Sequence, residues 1–252
     1  MLRTSNPVLS SKSFGGFVNQ PAEPVQGVRE ERMTIPGTIN KTTILLAMVM
    51  VAALWPWKLM QVDPAATLSW LWIGLIGGMI TALIIIFKKE WAGPLAPLYA
   101  ACEGLALGAT SAFFESRYPG IVFQAVALTM GVLATMLIVY RTGAIKATPN
   151  FTRGVIAATG AICLVYLITM AMRAFGMPVS FMHSSGPLGI GISLVVVFVA
   201  ALNLVLDFDL IEKGAKNGAP KYMEWYGAFG LLVTLVWLYL EILRLLSRLN
   251  RR

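Results

Sequence analysis

Seven apolar segments constrain the fold of this chain more than any other feature of its sequence. Each has about the 20 residues that a helix needs to cross a lipid bilayer. They cover residues 42–57, 68–87, 95–114, 120–140, 154–175, 187–209 and 223–246. Because 57% of the residues are hydrophobic and only 13% are charged, the sequence predicts an all-α, multi-pass membrane protein with seven transmembrane helices. The first segment is short and ends in Trp55-Pro56-Trp57, which is typical of an interfacial aromatic belt.

The two ends of the chain are polar. Residues 1–41 are rich in Ser, Pro, Gly and mixed charge and contain no apolar signal-peptide core, so we expect a disordered tail rather than a signal peptide. Residues 42–249 form the predicted membrane domain. Residues 250–252 are a short basic end.

The basic residues are distributed unevenly between the two sides of the predicted membrane domain. The tail and the loops on its side carry 13 Lys and Arg residues, against 7 on the other side. The positive-inside rule therefore predicts a cytoplasmic N-terminus and, with seven spans, an external C-terminus. The basic C-terminal end leaves open a re-entrant last segment, which would bring both termini inside. The net charge of +8 is thus assigned to topology and to contact with lipid, and no nucleic-acid partner is expected.

The sequence contains few residues that could form disulfides, bind zinc or act in Ser-His catalysis. Cys102 and Cys163 both lie in apolar segments, and His183 is the one histidine. A disulfide framework, a zinc site and Ser-His catalysis are therefore not expected. The chain also lacks the Gly-x-Gly-Asp motif of intramembrane aspartyl proteases. We predict that the protein is not an enzyme and has no cofactor.

Three carboxylates within the apolar segments are the main functional candidates. Asp207 and Asp209 lie in the last turns of the sixth segment, and Glu103 lies near the middle of the third. Burying a charge in a bilayer costs several kcal/mol, so such residues usually face a cavity, a partner or an ion path. Two simpler interpretations remain open. The aspartates, Asp209 above all, can be solvated by headgroups, and Glu103 can be a neutral carboxyl that is hydrogen-bonded to another helix.

Small and polar residues share one face on each of the last two segments. On the sixth this face includes Asn203 and Asp207, and on the seventh it includes Glu224 and Glu241. A short loop makes these helices antiparallel neighbours, so Asp207 and Glu224 can form a carboxylate pair that shares a proton and acts as a pH-sensitive latch. Glu241 has Arg244 at i+3, which predicts an ion pair on the surface side.

Two lysines and two glycine pairs complete the set of candidates. Lys88 and Lys89 end the second segment on the side of Asp207, where they can serve as counter-ions or only set topology. Glycines spaced four residues apart, at Gly74 and Gly78 and at Gly104 and Gly108, predict close helix packing.

The order and spacing of several motifs resemble the Bax inhibitor-one (TMBIM) family. These are Glu-Gly-Leu-x-Leu-Gly in the third segment, Leu-Asp-Phe-Asp-Leu-Ile at the end of the sixth and Leu-Tyr-Leu-Glu-Ile-Leu-Arg-Leu-Leu in the last. The loop Lys-Ala-Thr-Pro-Asn-Phe-Thr-Arg-Gly is similar to the bacterial branch. The resemblance covers about residues 42–249 and leaves the tail outside.

The resemblance implies a seven-helix fold whose last helix is wrapped by the other six. It also implies a pH-sensitive calcium leak that is gated by two acidic residues. Asp207 matches the family's aspartate on the sixth helix, with Asp209 where many members carry Gln. Thr234 stands where the second aspartate is expected. A paired latch then needs Glu224 or Asp209 as a substitute, and a single carboxylate with Lys88 or Lys89 as counter-ion is the alternative.

From these observations we expect a pH-sensitive leak channel or transporter for an ion, with Ca2+ or protons as the transported species, in a bacterial inner membrane. Asp207 and Asp209 are the expected Ca2+ ligands. The residues expected along the ion path or gate are Asp207, Asp209, Glu224, Glu103, Asn203 and Thr234. The alternative is a non-transporting regulator of the stress or cell-death type, which acts by binding other membrane proteins.

Overall fold

The computed structural model describes residues 32–176 and 186–251 of the chain. The predicted disordered tail falls mostly outside these residues, and so does His183. Within the described ranges the chain is all-α, as predicted, and its one non-helical pairing is an isolated antiparallel bridge between Arg32 and Pro220. The helices are α1 (Ile35–Val62), α2 (Pro64–Phe87), α3 (Ala92–Arg117), α4 (Ile121–Arg141), α5 (Pro149–Ala174), α6 (Pro187–Lys216) and α7 (Met223–Leu249).

Capping residues set the limits of the first two helices. The Thr34 hydroxyl accepts a hydrogen bond from the Gly37 backbone N–H at 3.0 Å, and α1 begins at Ile35 rather than near residue 42. The Asp63 carboxylate accepts from the backbone N–H of Ala65 at 3.0 Å and of Ala66 at 2.9 Å, which starts α2 directly after α1 ends. Hydropathy missed the first turns of α1 because capped polar turns carry no apolar signal.

The prediction that the first segment is short and ends near Trp57 is wrong. Helix α1 continues through Pro56 to Val62. Pro56 is buried and packs against Gly108 of α3, so the helix tolerates the proline within a packed interface. Trp55 remains exposed and lies edge-on to Trp70 of α2, with the ring centroids 6.3 Å apart.

Six of the seven helices are long and apolar enough to cross a membrane, and α3 is the exception. Helix α3 packs between α1 and α2 and buries eleven residues, most of which are Ala or Gly. A methyl group added at Gly104 would lie 2.5 Å from the carbonyl oxygen of Val49 in α1. One added at Gly74 of α2 would lie 2.5 Å from the carbonyl oxygen of Cys102. The predicted close packing at glycines is confirmed, and α3 is less apolar because it faces other helices rather than lipid.

Helix α7 is the most buried of the candidate spans. In its most apolar stretch 67% of the residues are buried, compared with 44% in α6 and at most 22% in the others. It contacts α1, α3, α4 and α6, and the Tyr166 hydroxyl of α5 reaches it as well. The side chains of Leu232, Leu238 and Leu243 are fully buried there. The core of the bundle is therefore built around α7.

The described ends of the chain lie at opposite ends of α7. Next to the first turn of α7, the Thr34 backbone N–H donates to Glu224 at 2.8 Å. Beyond its last turn, Arg251 Nε donates to the Tyr118 hydroxyl, just after α3, at 3.0 Å. Helices α3 and α7 therefore both run the length of the bundle. Since α7 is one continuous helix, the structure does not contain the re-entrant last segment that the sequence left open.

Candidate functional site

Asp207 is the candidate residue whose surroundings are the least expected for a structural role. It lies on α6 against α7, and its Oδ2 atom is buried without a hydrogen-bond partner among the described residues. The Thr234 side chain of α7 is a hydrogen-bond partner of the Asp207 carboxylate, and its hydroxyl also donates to the Gly230 carbonyl at 3.3 Å, so the atom that the described residues leave without a partner is Oδ2 alone. Buried polar atoms almost always have a partner, and an exception requires an explanation.

The surface of α7 is open one turn before Thr234. Gly230 precedes Thr234 by four residues, so both lie on nearly the same face of α7. Gly230 is partly exposed, and a methyl group added there would meet no other atom within 4 Å. Among the described residues, no neighbouring helix packs against α7 at this position.

Asn203 lies one turn before Asp207 on α6 and is held by α5. Its Nδ2 donates to the Thr159 hydroxyl at 2.8 Å and to the Val199 carbonyl at 2.9 Å. The amide is therefore oriented by two hydrogen bonds. Asn203 ties α6 to α5 next to the candidate site.

Asp207 and Asp209 do not form one cation site. The Asp209 carboxylate pairs with Lys213 at 2.6 Å, and its side chain is 22% exposed. Two residues apart on a helix, the two aspartates point to nearly opposite faces. No group of three or more His, Cys, Asp or Glu residues able to hold a metal ion occurs in the described ranges. The structure therefore does not bring the two predicted Ca2+ ligands together.

Glu224 is fully buried and belongs to a separate cluster at the start of α1. Its carboxylate forms an ion pair with Lys41 and accepts from the Thr34 backbone N–H and hydroxyl, each at 2.8 Å. Lys221 lies 3.5 Å away. Glu224 precedes Thr234, which marks the level of Asp207, by ten residues, or about 15 Å along the helix. The latch between Asp207 and Glu224 is therefore not formed.

Glu103 occupies a third location. A methyl group added at Gly78 of α2 would lie 3.0 Å from its Oε2 atom, so the side chain faces α2 rather than α7. It is partly buried, and no described residue forms an ion pair or hydrogen bond with it. The structure thus separates Glu103 from Asp207.

The predicted counter-ions do not reach the carboxylates. Lys88 and Lys89 are exposed, with Nζ of Lys88 lying 4.9 Å from the centroid of the Trp91 ring and Nζ of Lys89 5.2 Å from that of Tyr226. Both lysines stack on aromatic rings at the end of the bundle. The buried carboxylate of Glu224 is instead paired with Lys41 of α1 and with Lys221 at 3.5 Å.

The predicted ion pair between Glu241 and Arg244 is confirmed, with the two groups 2.6 Å apart. The Arg244 side chain is 43% exposed, as a pair on the surface side requires. Glu241 lies deeper, only 1% exposed, and also accepts from the Tyr166 hydroxyl at 2.8 Å. The pair therefore joins α7 to α5 with its carboxylate buried and its guanidinium near the surface.

The partners of Glu224 were missed because they are far away in the sequence. Lys41 and Glu224 are separated by 183 residues, and no local spacing relates them. The Thr34-Ile35-Pro36 sequence was a usable signal, since Thr followed by Pro at the start of a helix marks an N-cap. That signal places the start of α1 but not the carboxylate that binds it.

The chain matches one family model, described as Bax inhibitor 1 like, over residues 6–251. The match begins within the tail, which the sequence resemblance had placed outside. No curated protein and no solved structure gives a significant match.

Proposed function

The chain belongs to the Bax inhibitor 1 like family, and we propose that it is a pH-sensitive cation leak, with Ca2+ as the first candidate ion, gated at Asp207. Multi-pass membrane character is supported by the family and by the six apolar helices. The rest of the proposal comes from the geometry around one carboxylate.

The observation that carries the proposal is the buried, unpartnered Oδ2 atom of Asp207. A carboxylate in a span is costly to bury, and binding either a proton or a cation reduces that cost. The proton and the cation compete for the same oxygen atoms. Cation occupancy at Asp207 therefore depends on pH, which is the property that a pH-sensitive gate requires.

The site supports gating by a single carboxylate rather than by a pair. Thr234 supplies a hydroxyl beside Asp207, and Glu224 is already engaged by Lys41 and Thr34. Ca2+ takes six to eight oxygen ligands. One carboxylate with a neighbouring hydroxyl binds it only loosely, which suits passage of the ion better than storage.

The setting of the site is part of the same proposal. The excess of Lys and Arg on the side of the tail supports a cytoplasmic start of α1, in a bacterial inner membrane. We further propose that all six other helices enclose α7, as in the family's implied fold, and that the protein transports without catalysing a reaction.

The test is calcium-dye flux into liposomes that contain the purified protein, from about pH 5 to about pH 8. The wild type is expected to show pH-dependent flux. Asp207→Asn carries a neutral side chain, which mimics protonated Asp207. Its flux should stay at every pH at the level that the wild type reaches at the acid limit.

Asp209→Asn is the matched control, because it neutralises a carboxylate two residues away that is already paired with Lys213. Its flux should follow the wild type across the pH range. Flux that ignores Asp207→Asn would contradict gating at this residue. No flux above empty liposomes, from folded protein, would favour a non-transporting regulator that binds other membrane proteins.

A further inference from the structure

The residues just before α1 form a short strap, Arg32 to Thr34, across the turn between α6 and α7. The Met33 backbone N–H donates to the Ala219 carbonyl at 2.7 Å, and Arg32 forms the isolated bridge with Pro220. The strap is thus fixed to this turn by backbone hydrogen bonding.

The Met33 side chain is inserted between α6 and α7. It is only 4% exposed. A methyl group added at Gly214 of α6 would lie 2.9 Å from its Sδ atom, and one added at Gly227 of α7 would lie 3.5 Å from its Cε atom. Glycine at position 214 leaves the space that the flexible thioether side chain fills, and at Gly227 Met33 shares the space with Ile211 and Thr38.

This insertion lies directly above the candidate site. Gly214 follows Asp207 by seven residues on α6, and Gly227 precedes Thr234 by seven residues on α7. Seven residues are two helical turns, so each pair shares a face and is separated by about 10 Å along the axis. Ile211 lies between the two levels, with its Cγ1 atom 3.2 Å from a methyl group added at Gly227.

The Glu224 cluster holds the strap in this position. Glu224 accepts both hydrogen bonds from Thr34, the residue next to Met33. Its charge is balanced by Lys41 and by Lys221 at 3.5 Å. Gly37 lies against the same carboxylate, where no side chain would fit. Because the Glu224 carboxylate is fully buried and its lysine partners are not, lifting the strap would leave that charge with fewer partners and is costly as long as Glu224 stays charged.

We propose that Met33 is a built-in plug, which closes the strap end of the interface between α6 and α7 and controls access to Asp207. When the strap is withdrawn, water and cations reach the carboxylate through the space vacated between Gly214 and Gly227. The consequence for flux rests on the proposed function. Access itself does not, and it can be measured separately.

The test measures how fast a charged methanethiosulfonate reagent, added from the strap side, modifies Thr234→Cys. The background carries Cys102→Ala and Cys163→Ala, which removes both native thiols. Adding Met33→Ala should speed modification by roughly tenfold, because the accessible state becomes more populated. Met50→Ala is the matched control, since Met50 lies on α1 but its side chain is 69% exposed. A rate with Met33→Ala equal to that with Met50→Ala would overturn the plug.

Two further variants keep the test decisive if Met33→Ala folds poorly. Met33→Leu retains an apolar side chain of similar volume and should modify as slowly as the parent. Glu224→Gln keeps an acceptor for Thr34 but removes the ion pair with Lys41, and it should modify faster than the parent. Unchanged modification with Glu224→Gln in folded protein contradicts the clamp that the plug requires.

The two proposals fail in distinguishable ways. If Met33→Ala speeds modification but the protein conducts no ion, the plug proposal stands and the leak proposal is wrong. If flux depends on pH but the modification rate is unchanged by substitutions at Met33 and Glu224, the leak proposal stands and the plug proposal is wrong.

Discussion

At the scale of single residues, Asp207 differs from the other acidic residues that the structure describes on α6 and α7. Asp209 and Glu212 pair with lysines one turn later, Glu224 pairs with Lys41, and Glu241 pairs with Arg244. Their charges are balanced within the fold. Only the Asp207 carboxylate leaves a buried oxygen without a partner there, which is why the functional proposal is placed at this residue.

Glu224 is expected to be important for stability as well as for holding the strap. Glu224→Ala leaves Lys41 and the Thr34 backbone N–H without their buried partner, so it should lower the free energy of unfolding by about 3–5 kcal/mol. Thermal or denaturant unfolding in detergent measures the change.

Asp209→Ala is the comparison for that loss. It removes an ion pair whose lysine is 63% exposed, and such pairs contribute no more than about 1 kcal/mol. If Glu224→Ala and Asp209→Ala lowered the free energy of unfolding by equal amounts, the Glu224 cluster would not be a clamp.

Sequence reasoning selected Asp207 as a candidate and assigned it partners that the structure places elsewhere. The rule that charged residues in spans are functional selects Asp207 without any structure. Which carboxylates are neutralised depends on contacts such as that between Lys41 and Glu224, 183 residues apart. Local spacing reveals only pairs such as Glu241 with Arg244, because those lie on one helix.

At the scale of the helices, glycine sets the distance between α1, α2 and α3. Gly104 and Gly74 bring backbones into contact where any side chain would force the helices apart. Gly104→Ala should therefore destabilise the protein by about 1–3 kcal/mol, the usual cost of overpacking. Unfolding measurements in detergent test this.

Gly160→Ala on α5 is the matched control, because a methyl group there meets nothing within 4 Å. It should be neutral, or stabilising by up to about 1 kcal/mol, because alanine favours helix over glycine. If Gly104→Ala were as harmless as Gly160→Ala, the close packing of α3 would be incorrect.

Hydropathy located all seven helices, although it misplaced the limits of α1 and ended the sixth helix at residue 209, whereas α6 continues to Lys216. The apolar signal covers what lies in lipid, whereas the polar turn after Thr34 and the turns beyond Pro56 belong to the helix because of capping and packing. Helix α3 shows the same effect in another form. Its small residues lower its hydropathy, and they allow α1 and α2 to pack closely against it, which hydropathy does not reveal.

At the scale of the whole molecule, the bundle is organised around α7, with the strap and the Glu224 cluster at one end and Arg251 with Tyr118 at the other. Asp207 lies between these ends, about two turns below Met33. The two glycines that contact Met33 lie two helical turns from Asp207 on α6 and from Thr234 on α7. This spacing links the N-terminal strap to the candidate site. A membrane protein with this arrangement can control access at one end without moving its core.

The central claim is that Asp207 binds the proton that controls the leak, and infrared difference spectroscopy of the protein in bilayers tests it most directly. Lowering the pH from about 8 to about 5 should produce protonated carboxyl absorption in the wild type and in Asp209→Asn, and one component of that absorption should be missing in Asp207→Asn. Adding Ca2+ at fixed pH should reduce this component, since cation and proton compete for the same oxygens. A difference spectrum that is identical in wild type and Asp207→Asn would contradict the account.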